Sequence, residues 1–449
     1  MVRRMRGNSV IAGGMMGRSA WSRLLNTPIT AKVLIYIELV YVVLMRFATT
    51  ALGAPGAISF VLDGLNILAI LFSLSKLRDI RERGIGPVVT VFAVYCFVLL
   101  VSDVLNGVRP ALIVWAIRNT FRLFGFFFSC AILLDRSDID RIFRLLFGLQ
   151  VVNLAVSLVQ FGAMGIRQDD LGGIFGIGEG CNAYSNVFFA MLLVYYGFKW
   201  FDGDKGSSFR FYFVVFSTLV LAALAELKVY FIEFVLLISF VAVMRASKAR
   251  TYIVVAVCIC ALLAGLQVFK VAFPDAYRDL MDFDKMAAYS TEGMAGYELS
   301  RFGAFDQIDR IIFRQDPLKE LFGIGFGAAE ESSLAIFTSD FSKEWGWLNY
   351  RWFTHQMTFI ETGYIGFGLF VSLFISYAIW LIRAAKSSLQ EKTSIQFSLA
   401  MTLLTVINIW YNCATRIESC YFIAFALAVG LISYKASDGE SHLKGLKQQ

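Results

Sequence analysis

The chain has 449 residues, 58% of them hydrophobic, 15% aromatic and only 17% charged, whereas soluble domains carry about a quarter charged residues. With a mean hydropathy of +0.65, it cannot be an ordinary soluble globule. Its net charge of +7 is distributed by loop position, not as a basic patch, so no nucleic-acid partner is expected.

The first 28 residues are basic, with Arg3, Arg4, Arg6, Arg18 and Arg23. They lack the early apolar core and small-residue cleavage site of a signal peptide, so the span from about Val33 reads as an uncleaved anchor. Apolar runs of about 17 to 25 residues then recur, the length that crosses a hydrocarbon core of roughly 30 Å. The expected fold class is an all-α polytopic membrane protein of about twelve transmembrane helices, centred near residues 42, 66, 97, 122, 152, 191, 218, 237, 261, 370, 404 and 425. About nine spans fall in 1–272, a large loop holding short helices occupies 273–358, about three spans fall in 359–434, and a tail runs over 435–449.

Positive charge alternates between the connections. One side receives the N-terminus, Lys76/Arg78/Arg81/Arg83, Arg136/Arg141/Arg144, Lys199/Lys205/Arg210, Arg245/Lys248/Arg250, Arg383/Lys386/Lys392 and the tail with Lys435, Lys444 and Lys447. The other side holds little beyond Arg109, Arg167, Lys228 and Arg416. By the positive-inside rule both termini are cytoplasmic and the 273–358 loop faces outward. Of the seven cysteines, Cys96, Cys130, Cys258, Cys260 and Cys420 lie in apolar runs, Cys413 at a span end and Cys181 in a loop. Their spacing suggests neither a metal site nor a disulfide framework, and they read as packing residues.

Three stretches before the large loop carry polar groups that ask for an explanation. Arg167 to Asn182 is glycine-rich and ends where a helix is expected to start at Asn182. It is either a flexible turn capped by Asn182 or an approach for an anion at a helix N-terminus. Leu224 to Glu233 contains no turn residues, yet the hydrophobic run from Tyr212 to Met244 is too long for one span and must reverse near Glu226 and Lys228. These two either form an ion pair that closes the turn, or Lys228 contacts an anion at the outer mouth; charge inside a bilayer is costly either way. Arg118 and Arg122 lie four apart on one helical face and need carboxylates or an anionic ligand, with Asp63 and Glu38 as plausible partners.

In the large loop, Glu298 to Gln315 spaces Phe302, Phe305, Ile308 and Ile312 at helical intervals, with Arg301, Asp309 and Arg310 off the stripe. This predicts an amphipathic helix lying apolar face down on the bundle mouth and holding Arg301 above it. Gly323-Ile324-Gly325-Phe326-Gly327 is a glycine-rich turn. His355 precedes the tenth span by a few residues, where a neutral imidazole can take a proton from a hydroxyl. Glu361 follows six residues on and enters the apolar zone, where Gly363, Gly366 and Gly368 allow close helix packing. Arg301, Lys228 and His355 share one side of the membrane. Such a cluster suits a lipid pyrophosphate held by cations and displaced by a hydroxyl that the histidine activates.

From about Gly172 to Gly368 the sequence resembles the O-antigen ligase and polymerase superfamily. Asn182 after the glycine-rich loop, Lys228, Arg301 about twenty residues before Gly323-Ile324-Gly325-Phe326-Gly327, and His355 with Glu361-Thr362-Gly363-Tyr364-Ile365-Gly366 are the matching residues. Two departures stand out: Lys228 occupies a position usually held by arginine, and Gln356 one where many members have asparagine. The resemblance implies glycosyl transfer from an undecaprenyl-pyrophosphate-linked glycan at the outer face of a bacterial inner membrane, inverting and metal-independent, with no cofactor. It implies His355 and Arg301 as catalytic residues, with Lys228, Asn182, Glu226, Arg118, Arg122 and Glu361 as candidate substrate contacts. The expected partners are the lipid-linked donor, a glycan acceptor, the bilayer and a chain-length regulator. Polymerisation of repeat units into O-antigen, capsule or exopolysaccharide is the favoured activity; ligation of the glycan to lipid A core is the alternative within the family. A flippase or transporter is the rival of another class, but it would show internal repeats and broken spans in two halves, which are not evident.

Overall fold

A computed structural model describes residues 28–74, 84–204, 206–245, 248–282, 284, 298–387 and 392–446. The architecture is all-α; among the described residues the only β-type pairing is an isolated bridge between Leu171 and Ile177. The long helices are α1 (Pro28–Ala51), α2 (Ser59–Leu74), α3 (Gly86–Asn106), α4 (Pro110–Leu133), α5 (Arg136–Gly162), α6 (Cys181–Phe201), α7 (Ser207–Leu224), α8 (Lys228–Met244) and α9 (Lys248–Ala272). After four short helices, α10 (Pro274–Met281), α11 (Ala304–Ile308), α12 (Pro317–Phe322) and α13 (Asp340–Trp345), come α14 (Thr354–Ser387), α15 (Lys392–Tyr411) and α16 (Cys420–Leu446).

Helices cover each expected span centre, and among the described residues nine are long and apolar enough to cross a membrane: α1 to α5, α7, α9, α14 and α15. The three others have physical reasons to differ. Helix α8 has 17 residues, and the apolar part of α16 runs only from Cys420 to Tyr434. Helix α6 is buried on nearly every face from Ala183 to Phe198, so it meets protein where its neighbours meet solvent or lipid, and it can carry Asn182, Asn186 and several tyrosines. It packs on α7, α8, α15 and α16, while α14 packs on α3 and α15, and α4 on α2 and α16. The perimeter exposes large apolar side chains such as Phe97, Leu100, Val104, Phe216 and Val243, as a lipid-facing surface does.

Local signals set the helix ends. Proline opens α4 at Pro110, and Asp135 and Asp138 form a reciprocal capping box at the start of α5, which satisfies two otherwise orphaned N–H groups. That end of the bundle also ties Lys32 to Asp135 and to Asp138, the latter at 3.0 Å, and Arg245 to Asp202 at 2.7 Å. The N-terminal arginines, Lys76 to Arg83, Lys205 and Lys447 lie outside the described residues, and nothing is described of the side chains of Lys248, Arg250, Lys435 and Lys444.

The large connection differs from expectation in two places. Helix α14 starts at Thr354, so His355 is its second residue and not part of the preceding loop. The expected helix over Glu298 to Gln315 shrinks to α11, continued by a π-helical turn over Asp309–Phe313. Ser300 and Gly303 turn the chain instead: the Gly303 N–H donates to Ser300 Oγ at 3.0 Å and the Ser300 N–H to Gln307 Oε1 at 2.8 Å. Phe302 therefore falls off the apolar stripe and is 70% exposed, while Ile308 and Phe313 are buried. Arg301 sits in the turn before α11, not on a surface helix.

Candidate active site at the outer loop

Helix α14 is interrupted at Gly363, whose backbone takes φ 60° and ψ −165°. Such a break strips carbonyls of their helical donors. The glycine-rich turn supplies replacements: the Ile324 N–H donates to the Ile360 carbonyl at 2.9 Å and the Gly325 N–H to the Glu361 carbonyl at 3.1 Å. A Cβ on Gly323 would collide with the backbone of Glu361 and Thr362, and one on Gly363 with that of Glu320 and Leu321. Glycine at both positions is what allows the two backbones to touch. The Gly323–Gly327 turn and the Glu361–Gly366 stretch, which the sequence shows as separate motifs, are thus the two halves of one joint.

The joint holds up an ionic network. Arg416, in the connection between α15 and α16, pairs with Glu330 at 2.5 Å and Glu361 at 3.0 Å. Glu361 Oε1 also accepts from the Gly327 N–H at 3.0 Å, and Asn119 Nδ2 donates to Glu330 at 2.9 Å. Arg118 pairs with Asp63 at 2.8 Å, as the sequence suggested. Arg122 does not pair with Glu38; its partner is Glu418 at 3.0 Å, and it also donates to the Arg416 carbonyl. Glu38 is fully buried on α1 with neither carboxyl oxygen hydrogen-bonded. Arg122 instead turns toward the Arg416–Glu418 connection, where a charged partner and a carbonyl are both in reach. Burial raises the Glu418 carboxyl, but the Arg122 charge and the Tyr184 hydroxyl, which donates to it at 2.5 Å, outweigh that and hold it at about 2. Glu361, Arg118 and Arg122 are therefore members of a paired, mostly buried scaffold.

His355 and Arg301 are brought together at the start of α14. His355 is 1% exposed. Its Nε2 lies 2.9 Å from the Arg301 carbonyl and its Nδ1 3.2 Å from the Ile409 carbonyl in the last turn of α15. Gln356 Nε2 donates to the Ser300 carbonyl at 3.2 Å, and the Thr354 N–H and hydroxyl both reach the Asn412 carbonyl at 3.0 Å. The Arg301 guanidinium stands over Tyr411 and Phe353, 4.8 and 5.2 Å from the ring centroids, close enough for cation–π attraction. The imidazole stacks on Trp410 at 6.0 Å and an interplanar angle of 16°.

Lys228 belongs to a second cluster with Glu226, Asp169 and Asn182. The Lys228–Glu226 ion pair, 2.8 Å long, closes the α7–α8 turn, in which Glu226 takes a φ of 53°. The Lys228 side chain is still 39% exposed, against 15% for Glu226, so two of its three donors remain available to a second partner. Asn182 is not the helix cap: α6 begins at Cys181 after Gly180, at φ 84°, and Cys181 is a buried helical residue rather than a loop one. The Asn182 amide donates to Asp169 and, at 3.4 Å, to the Ala225 carbonyl. Burial and the nearby Glu226 push the Asp169 carboxyl up, with Lys228 opposing.

Sequence reasoning placed Arg416 among the outer-side charges without giving it a role in the site, and overlooked Glu418, Glu330, Asn119 and Tyr184. The available signal was the Arg416–Glu418 pair in an otherwise uncharged turn, since charges beside a membrane need partners. The first turns of α6 contact two of these clusters, through Asn182 to Asp169 and through Tyr184 to Glu418, and Asn186 donates to Glu233 at 3.2 Å and to Asn408 at 3.1 Å. Among the described residues no group of three or more His, Cys, Asp and Glu side chains is arranged to hold a metal ion. No protein-family model matches the chain, and no curated protein matches it at a significant level of similarity.

Proposed function

We propose that this protein transfers a glycan from a lipid pyrophosphate, such as an undecaprenyl-pyrophosphate-linked repeat unit, to a hydroxyl on a second glycan, and so polymerises repeat units into O-antigen, capsule or exopolysaccharide. The observation that carries the proposal is the corner formed by Arg301 and His355, residues 54 apart in sequence, at the edge of an apolar bundle. In this reading the bundle spans a bacterial inner membrane twelve times, with both termini cytoplasmic and the loop facing outward. Arg301 then lies where a lipid-borne diphosphate meets water, and its planar donors suit phosphate oxygens. Lys228 offers a second, point-like contact. The resemblance to the ligase and polymerase superfamily supports the same reading and supplies His355 as a residue of the transfer site. The reaction is an inverting displacement at the anomeric carbon: the bond to the phosphate oxygen breaks as the bond to the acceptor oxygen forms. Positioning and charge neutralisation would supply most of the rate.

Reconstitution tests this directly. Purified protein in vesicles, given synthetic lipid-pyrophosphate-linked repeat units, should form a ladder of longer lipid-linked glycans. Transfer only to lipid A core would make it the ligase, and unchanged substrate would remove both activities.

A further inference from the structure

We infer that His355 acts as a doubly protonated tie that positions Arg301, and that it is not the proton acceptor of the reaction; this rests on the proposed transfer site. Both ring nitrogens face oxygen atoms that can only accept: Nε2 the Arg301 carbonyl at 2.9 Å and Nδ1 the Ile409 carbonyl at 3.2 Å. A neutral imidazole has one N–H and one lone pair. It would satisfy one carbonyl and turn its lone pair against the other, inside a site with almost no solvent. An imidazolium donates to both.

The helix end beside the ring favours the same state. Ile409 lies in the last turn of α15, which ends at Tyr411, and the C-terminus of a helix attracts positive charge. Thr354, next to His355, serves the same end by donating to the Asn412 carbonyl. The rings against the imidazole, Phe305, Phe353 and Trp410, carry no charge. Burial of the ring opposes protonation most, and the Arg301 guanidinium, the charged group facing it, opposes it further; the two carbonyls and the helix end must outweigh both.

The consequence concerns Arg301. Its backbone is held by His355 and, one residue earlier, by Gln356 at the Ser300 carbonyl, so α14 fixes the segment from which the guanidinium reaches over Tyr411 and Phe353. His355 is then a positioning residue. In the transfer step the acceptor oxygen bonds to the anomeric carbon, the pyrophosphate departs with the electron pair, and the acceptor proton passes to water at the outer face.

The chain has two histidines, His355 and His442, which makes the protonation state readable. The full-length protein, labelled with nitrogen-15 histidine and carrying His442→Gln, should show two protonated ring nitrogens for His355 at neutral pH. One protonated and one bare nitrogen would overturn the inference. The rate of transfer to synthetic lipid-linked repeat units supplies the second readout: it should fall on the alkaline side and hold on the acid side, whereas a base would give the opposite limb. His355→Gln, which keeps a donor, should raise the KM for the donor lipid severalfold with a smaller loss of kcat, and should remove the alkaline limb. A Gln variant with normal KM and abolished kcat would also overturn it. If the wild-type protein transfers no glycan at all, the proposed function fails, while the nitrogen signals still decide whether the tie exists.

Discussion

The N–H of Gly327 donates to Glu361 Oε1 at 3.0 Å, while the other oxygen of that carboxylate meets Arg416, also at 3.0 Å. One buried side chain thus joins the glycine-rich turn, the broken helix α14 and the connection before α16, and His355 stands on the same helix, near its start.

Substitution at the joint should be costly because both constraints fail at once. Gly363→Ala puts a side chain at φ 60°, which costs about 1–2 kcal/mol before any clash, and its Cβ would strike the backbone of α12. The thermal midpoint of the detergent-solubilised protein should drop clearly, and the loop around residues 298 to 353 should become sensitive to protease. Gly368→Ala, where added bulk meets nothing within 4 Å, should leave both unchanged.

Glu418→Gln should destabilise strongly, since removing one partner of a buried ion pair costs about 3–5 kcal/mol. The folded carboxyl at about 2 lies below its unfolded value, so the pair's contribution is complete above the ordinary carboxylate range and is lost as pH falls through about 2. Acid unfolding followed by intrinsic fluorescence should therefore be steeper in the wild type than in the variant.

Asp169 carries the opposite sign. Its folded carboxyl is pushed up by burial and by Glu226, so its favourable contribution exists at low pH and disappears as pH rises through the elevated value. Asp169→Asn keeps an acceptor for Asn182 and removes the repulsion. The thermal midpoint should rise modestly, by the equivalent of under about 1 kcal/mol, at pH 8 and not at pH 4.

Lys228 is partly exposed and its pair with Glu226 is short-range, so Lys228→Ala should cost at most about 1 kcal/mol of stability. Its effect on transfer should be larger than that. Lys228→Arg should retain activity; equal rates for wild type, Ala and Arg would leave only the structural ion pair.

The bundle was legible because apolar runs of membrane length need no tertiary information, and the reversal at Glu226 followed from a run too long for one span. Arg118–Asp63 was also within reach, because two adjacent spans supply a cation and an anion on facing surfaces. Arg122–Glu418 was not, since its partners lie 296 residues apart and Glu38 offered a nearer carboxylate. Spacing alone extended a helix through Arg301; the hydrogen bonds of Ser300 and Gly303 that end it depend on Gln307 and on a local turn. Likewise His355 looked like an open base in sequence. Only the fold shows two carbonyls closing on its ring.

The most direct test of the central claim is the glycan profile of cells whose chromosomal copy carries Arg301→Ala, with membrane levels of the protein confirmed and lipid-linked and surface glycans resolved by size. The proposed function predicts that long chains vanish from both pools while single lipid-linked repeat units persist. A profile identical to wild type would contradict it and place the chemistry of this protein elsewhere than at the Arg301–His355 corner.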